Sequence, residues 1–322
     1  NEAWGCGGNM RPEYYADIYK KYVTFMSDAD VEGGIYKIAS GASNDDYNWT
    51  EVLMKNIPKN MLQGVALHHY SVIDWGAKGP DVNFDEETYF KTMKESWLME
   101  ELIVKHTAIM DKYDEEKKVD LIVDEWGGWY EVAEGTNPGF LYQQNTMRDA
   151  MIAGMNLNIF NNHADRVKMA NLAQTVNVLQ AVILTEDEKM ILTPTYHVMN
   201  MYKVHQDATL IPLSFDSPSY NFKEESLPAL TVSASKDKNE EIHISFTNID
   251  TKNGSTVSID LTDLKLKNIM GAILSSESLQ DHNTFDNPNK IEPKNFKDFK
   301  FNKGMLEVTI PPFSVLVLEG KK

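Results

Sequence analysis

The feature that most limits the fold of this chain is a change in the spacing of its apolar residues near Pro194. Before that point, short apolar runs alternate with longer segments of helical spacing, a pattern typical of parallel strands joined by helical crossovers. The predicted strands are 34–39, 64–70, 119–124 and 157–161. The predicted helices are 48–56, 85–113, 139–155 and 169–183. The first part of the chain is therefore expected to be an α/β domain.

After Pro194 the apolar residues alternate with polar ones, and turn signals separate the runs. Alternation with period two indicates strands with one buried face, and regular turns between them are typical of an antiparallel sandwich. The clearest alternating runs are 242–246, 257–259 and 306–310. We therefore predict an all-β second domain over residues 196–322.

Composition excludes several classes of protein. The 322 residues carry a net charge of −17, whereas binding to phosphates or to anionic membrane surfaces requires an excess of Lys and Arg. No apolar run reaches 18 residues, the length that a membrane-spanning helix needs. From the charge and the absence of such a run, we expect neither a nucleic-acid nor a membrane partner. The single cysteine, Cys6, allows no intrachain disulfide, which leaves the compartment open between cytoplasm, periplasm and the exterior.

Carboxylates and aromatic residues follow the predicted strands at the point where a barrel would place its active site. The strand at 119–124 leads into a segment with Glu125, glycines and two tryptophans, and the strand at 64–70 ends in His68, His69 and Tyr70. The chain itself opens with a second carboxylate, Glu2, beside an aromatic residue. Two carboxylates at strand ends are what glycoside hydrolysis requires, although the sequence does not give their separation and so leaves retention or inversion open.

Each of these residues also has a plainer interpretation. Glu125 has the alternative of a surface residue in an ion pair, and Cys6 that of a small packed residue. His68 and His69 are adjacent, so they point to opposite faces of a strand and do not form a metal pair. We find no Cys, His and Asp cluster with ligand spacing, and we therefore expect no metal and no cofactor. Three methionines at helical spacing are predicted to be core residues: Met147, Met151 and Met155.

Several segments together resemble glycoside hydrolase family 51, the α-L-arabinofuranosidases. Residues 1–16 resemble the acid/base motif, residues 121–130 the nucleophile motif, and residues 163–180 the segment after the last barrel strand. Shorter matches follow in the same order at 193–198, 281–288 and 311–315. The resemblance covers the whole chain.

The resemblance implies a role for each matching residue. Glu125 corresponds to the nucleophile and Glu2 to the general acid/base of a mechanism that retains anomeric configuration through a covalent arabinofuranosyl-enzyme. Substrate-binding roles are implied for Asn1, His68, Tyr70, Trp129 and Gln174. The implied partner is an arabinose-containing oligosaccharide or polysaccharide, and the implied assembly is a homo-oligomer, a hexamer.

The resemblance also implies a domain organisation. Residues 1–195 correspond to the second half of a (β/α)8 TIM barrel, from the end of strand four to strand eight, and residues 196–322 to an antiparallel β-sandwich. An intact member has four further strands before the Asn1-Glu2 motif. We therefore expect this chain to be the C-terminal part of a longer enzyme.

Other functions fit the same residues. Asn-Glu followed by a later Glu recurs in other retaining barrel glycosidases, such as β-xylosidases and endoglucanases. A further alternative is an inactive fragment of such an enzyme. The third is a sugar-binding or assembly role without catalysis.

Overall fold

A computed structural model of the chain describes residues 2, 8–26 and 34–322. The chain forms two compact units, each built from several segments. The first unit draws on Asn1–His69, Leu98–Trp126 and His163–Asn171, and the second on Tyr70–Trp97, Gly127–Asn162 and Leu172–Lys322. The domain boundary between residues 195 and 196 stays a prediction.

Helices and strands alternate first and strands dominate afterwards. The α-helices are α1 (Pro12–Val23), α2 (Tyr47–Asn56), α3 (Glu86–Tyr113), α4 (Met147–Asn162) and α5 (Pro194–Tyr202). The strands of the first part are β1 (Ile38–Ser43), β2 (Gly64–Ser71), β3 (Asp120–Gly128), β4 (Val167–Leu172), β5 (Ile183–Glu186) and β6 (Lys189–Leu192). Those of the second part are β7 (Thr209–Leu210), β8 (Ser219–Phe222), β9 (Glu225–Pro228), β10 (Leu230–Lys236), β11 (Ile242–Asn248), β12 (Ser255–Asp260), β13 (Asn268–Leu274), β14 (Lys294–Phe296), β15 (Phe299–Asn302), β16 (Met305–Ile310) and β17 (Ser314–Lys321). Across the described ranges, no helix has both the length and the apolar character needed to cross a bilayer.

Strands β1 to β4 form one sheet in sequential order, and β1 pairs with β2 in parallel. Strands β2 and β3 and helices α2 and α3 confirm the predictions at 64–70, 119–124, 48–56 and 85–113. Helix α2 begins where the Asp46 side chain accepts a hydrogen bond from the backbone N–H of Trp49, which satisfies one of the free donors of the first turn. Strand β1 begins four residues later than predicted.

Two predictions are wrong in this part of the chain. The strand predicted at 157–161 belongs to helix α4, which also begins eight residues later than the predicted helix at 139–155. The segment is helical because it packs against β10 and β11 within the second unit. Asn158 donates to the carbonyl of Thr231, and a Cβ at Gly154 would lie only 2.3 Å from Oγ1 of Thr247. A helix buried on nearly all sides shows little apolar periodicity.

The helix predicted at 169–183 is also wrong, because its first residues form β4. Arg166, almost fully buried in the first unit, fixes the entry to that strand. Its guanidinium pairs with Asp111 and Asp114 and donates a hydrogen bond to the carbonyl of Val119. Its backbone carbonyl accepts a hydrogen bond from the N–H of Leu121 at 2.7 Å. These partners lie far away in sequence, so local spacing does not reveal them.

The second unit contains the predicted sandwich. One sheet has six strands in the order β14-β13-β17-β11-β10-β7 and the other has three in the order β12-β16-β15. The alternating runs at 242–246, 257–259 and 306–310 lie in β11, β12 and β16, which confirms their assignment as strands. Apolar side chains of both sheets form one core cluster, including Phe246 and Val308. The three methionines at 147, 151 and 155 are fully buried, as predicted.

Candidate active site

A buried histidine lies among three carboxylates in the first unit. His68 is on β2, and Nε2 of its ring lies 2.7 Å from Oδ1 of Asp124 on β3. The other ring nitrogen, Nδ1, lies 3.3 Å from Oε1 of Glu2 and 3.5 Å from Oε2 of Glu125. The residue after it, His69, points away and contacts Oδ1 of Asn44 through its own Nδ1 at 2.7 Å. The structure therefore brings together Glu2, His68 and Glu125, as the sequence predicts.

The two glutamates are close enough to act on one bond. One donor atom each of Glu2, His68 and Glu125 lies within 4.8 Å of the others, so the two carboxylates approach each other to within that distance. Both carboxylates remain partly accessible, with side-chain exposures of 25% for Glu2 and 33% for Glu125, whereas His68 is at 5%. The same three side-chain atoms of Glu2, His68 and Glu125 are also close enough together to coordinate a cation. The arrangement combines two accessible carboxylates with one buried imidazole.

The charge around His68 changes its acidity. Burial lowers the pKa of His68, but the contacts with Asp124, and then the charges of Glu125 and Glu2, outweigh burial and raise that pKa above its usual value. These contacts therefore shift the His68 imidazole toward its protonated form. In that form the ring carries a positive charge beside Glu2 and Glu125.

The second unit contains an aromatic cluster of its own. The rings of Tyr70 and Trp129 meet edge to face with their centroids 5.1 Å apart, and Trp75 meets Trp129 in the same way at 5.4 Å. Tyr70 and Trp129 are half-buried, and Trp75 is 56% exposed. Exposed aromatic faces of this kind suit the apolar face of a sugar ring. Trp75 was not singled out from the sequence, because it follows no predicted strand.

Two glutamines in the second unit have different surroundings. Gln174 is exposed and lines a pocket of about 570 Å³ together with the loop residues 136–142. Gln180 is fully buried, accepts from the backbone N–H of Gly128 at 2.7 Å, and donates to the carbonyl of Asp149 at 2.8 Å. Gln180 therefore fixes the chain just before Trp129. The sequence held no signal for this contact, which joins residues 52 positions apart.

Two sequence predictions fall on residues outside the described part of the chain, namely the substrate-binding role of Asn1 and the packing of Cys6. Asp124 is described and was not singled out as a site residue. Its position at the end of the predicted strand 119–124, directly before Glu125, was the available signal. In the structure it lies within β3 and contacts the histidine on the neighbouring strand β2.

Comparison with known proteins assigns the chain to a family. The profile of the α-L-arabinofuranosidase C-terminal domain matches residues 124–314, which is more than half of the chain. The chain belongs to the α-L-arabinofuranosidase C-terminal domain family. The resemblance to glycoside hydrolase family 51 stated from the motifs is thereby confirmed.

Individual relatives agree with this assignment. The chain is 47% identical to an intracellular exo-α-L-arabinofuranosidase of Bacteroides ovatus, over 99% of this chain and 62% of that protein. The structure of the family 51 arabinofuranosidase from Xanthomonas axonopodis pv. citri is 46% identical, with a TM-score of 0.96, over 100% of this chain and 65% of that one. An α-L-arabinofuranosidase from Thermotoga maritima shares the fold at 24% identity and a TM-score of 0.79, over 99% of this chain and 64% of that one. The chain thus spans less than two thirds of the length of these relatives.

Proposed function

We propose that the protein containing this chain is a retaining glycoside hydrolase that releases terminal α-L-arabinofuranosyl residues from arabinan- or arabinoxylan-type glycans. The observation that carries the proposal is the approach of the Glu2 and Glu125 carboxylates to within 4.8 Å of each other. Retaining glycosidases hold their two carboxyl groups about 5–5.5 Å apart, whereas inverting enzymes need roughly 6.5–9.5 Å to admit a water molecule. The short separation favours retention.

In the first step, an oxygen of Glu125 attacks the anomeric carbon and the bond from that carbon to the leaving oxygen breaks. Glu2 gives its proton to the leaving oxygen. In the second step, Glu2 takes a proton from water, the water oxygen attacks the anomeric carbon, and the bond to Glu125 breaks. His68 contacts both carboxylates, and its positive charge stabilises the anion that each becomes in turn.

The remaining predicted residues are proposed to bind the sugar. Trp129, with Tyr70 against its ring, offers an aromatic surface, and Gln174 offers an exposed amide. The resemblance to family 51 implies that Asn1 also contacts the sugar, and we include this contact in the proposal. Trp75 is added to this set because its exposed ring contacts Trp129.

The organisation of the whole protein is also a proposal. The sequential four-stranded sheet with a parallel first pair, together with the sandwich, supports the interpretation as the second half of a (β/α)8 barrel followed by a sandwich domain. The names of the relatives support an enzyme acting on arabinofuranosyl groups. The hexameric assembly and the absence of a nucleic-acid or membrane partner stay predictions from the sequence.

The test replaces each carboxylate separately in the full-length protein. Glu125→Ala should lower kcat/KM for an aryl α-L-arabinofuranoside by at least about 10⁴-fold, because the nucleophile is lost. Azide should restore turnover of this variant and give the inverted azide product. Glu2→Ala should also be rescued by azide, but with the retained product. Glu134→Gln, at an exposed position in the second unit, is the matched control and should keep wild-type activity.

Three results would contradict the proposal. Wild-type activity in Glu125→Ala would exclude the nucleophile assignment. Faster hydrolysis of an aryl β-xyloside than of the α-L-arabinofuranoside by the unmodified enzyme would favour the β-xylosidase alternative. If the protein binds arabino-oligosaccharides without hydrolysing them, the sugar-binding alternative is correct.

A further inference from the structure

A second histidine in the chain lies among carboxylates, in the sandwich rather than at the proposed active site. We propose that Asp237, Glu241 and His243 bind a divalent transition-metal ion, for which Zn²⁺ is the appropriate probe. One donor atom from each of these residues lies within 4.8 Å of the other two. The sequence predicted no metal because these residues match no familiar ligand spacing.

The three residues lie in and directly after the turn that joins β10 to β11. Asp237 follows β10 directly, Glu241 precedes β11, and His243 is the second residue of β11. The backbone N–H of Asp237 donates to the carbonyl of Glu241 at 3.0 Å, and Oδ1 of Asp237 accepts from the N–H of Glu241 at 2.9 Å. The turn therefore holds both carboxylates near the imidazole before any ion binds.

His243 supplies independent evidence for a missing ligand. It is only 3% exposed, and neither of its ring nitrogens has a hydrogen-bond partner among the described residues. Buried polar groups are almost always hydrogen-bonded, so an imidazole with two free nitrogens calls for an explanation. The nearest carboxylate oxygens are those of Asp237 and Glu319, each 3.7 Å from a ring nitrogen, which is too far for a hydrogen bond.

The separation on the Asp237 side suits two ligands of one ion. Ligands that lie about 2.0–2.2 Å from a tetrahedral ion are separated from each other by roughly 3.3–3.6 Å. Nε2 of His243 and Oδ2 of Asp237 lie 3.7 Å apart. The Asp237 and Glu241 side chains are 21% and 27% exposed, which gives an ion access from solvent. One imidazole with two carboxylates favours zinc and related transition metals over calcium or magnesium, which prefer oxygen ligands alone.

Other charged groups near the cluster leave room for the ion. Nζ of Lys321 lies 3.0 Å from Oε1 of Glu241, but its side chain is 45% exposed and can swing into solvent. Lys236 and Lys322 pair with Glu240 instead. His205 packs edge to face on His243 at 6.3 Å, and both of its ring nitrogens already contact the hydroxyls of Ser235 and Ser245.

The test measures zinc binding by the full chain after treatment with EDTA and dialysis. Calorimetry and elemental analysis should find one zinc equivalent that raises Tm and that is lost in the Asp237→Asn/Glu241→Gln variant. Asparagine at 237 keeps the oxygen that accepts from the N–H of Glu241, and glutamine at 241 keeps the length of the side chain. Loss of two ligands should weaken binding by more than the roughly 10- to 100-fold that loss of an outer-shell partner costs.

Two further variants make the result specific. Asp263→Asn/Glu277→Gln removes two exposed acids of the same unit outside the cluster and should bind zinc as the wild type does. His68→Gln separates this site from the donors near Glu125, and should keep the zinc equivalent and its effect on Tm. The proposal is overturned if the wild type binds no zinc, if the Asp237/Glu241 variant binds it equally, or if His68→Gln is the variant that loses it.

Discussion

His68 in the first unit is buried and His205 in the second is half-buried, and their surroundings shift their pKa values in opposite directions. Carboxylates surround His68 and raise its pKa despite burial. Burial, and then the neighbouring imidazole of His243, lower the pKa of His205 to about 4. The first histidine is therefore shifted toward its charged form at the proposed active site, and the second is neutral at pH 7 in the sandwich. The difference shows that burial lowers the pKa of an imidazole unless neighbouring carboxylates outweigh it.

The largest effect is expected at His68. His68→Gln should lower kcat/KM of the full-length enzyme by roughly 100-fold, because the glutamine removes the positive charge between the two proposed catalytic carboxylates. His69→Gln is the matched control, since His69 is the next residue along β2 and contacts Asn44 instead. Steady-state kinetics on an aryl arabinofuranoside measure both variants. Equal losses in the two variants would mean that His68 contributes only to folding.

A second effect is expected at His205, in stability rather than activity. Its folded-state pKa of about 4 is below the usual value of 6.5, so the unfolded chain binds the proton more readily between these pH values. The contribution of His205 to stability is thus fully present above pH 6.5 and should fall by roughly 3 kcal/mol as pH drops to 4.

Urea unfolding of the wild type and of His205→Gln between pH 4.5 and pH 7.5 measures this contribution. The wild type should lose more stability on acidification than the variant, since the carboxylates titrate in both proteins and cancel in the comparison. Identical pH dependence in the two proteins would show that His205 is not held neutral.

The smallest effect is expected at Asp124. Asp124→Asn should lower the pKa of His68, because the carboxylate that contacts Nε2 is the strongest of the influences that raise it. The raised pKa stabilises the fold fully below about pH 6.5, and this stabilisation is lost as pH rises through the folded-state value. The stability difference between wild type and Asp124→Asn should therefore be larger at pH 5.5 than at pH 8.5.

NMR titration of the His68 ring and urea unfolding at the two pH values check this prediction. Asp165→Asn is the control, because Asp165 is exposed and pairs with Lys117 instead. A His68 pKa that is unchanged in Asp124→Asn would contradict the contact as the source of the shift.

The sequence predicted those parts of the molecule that depend on local pattern. Alternating residues identified β11 and β16, and the apolar run before Glu125 identified β3, because a strand with one or two buried faces records its environment in its own residues. The carboxyl-terminal parts of the predicted strands also identified Glu125 and His68, which lie within β3 and β2.

The parts that were missed depend on distant partners. The pattern over residues 157–161 predicts a strand, but the segment is helical. Asn158 donates a hydrogen bond to Thr231, and Gly154 lies against Thr247. Both contacts span more than 70 residues, so local spacing does not record them. The start of strand β4 is fixed by the ion pairs of Arg166 with Asp111 in α3 and with Asp114 directly after that helix. For the same reason the Asp124 contact with His68 and the buried role of Gln180 needed the folded chain.

The contacts of His68 have a consequence for measurements of acidity. A single imidazole contacts Asp124, Glu2 and Glu125, so the loss or gain of one proton changes the field at all the others. The protonation of His68 is therefore coupled to its contacts with all three carboxylates. A pH–rate profile for the proposed activity that showed the titration of His68 would report this whole set of contacts. Assigning that titration to the imidazole alone would give to a single residue a property that four residues share.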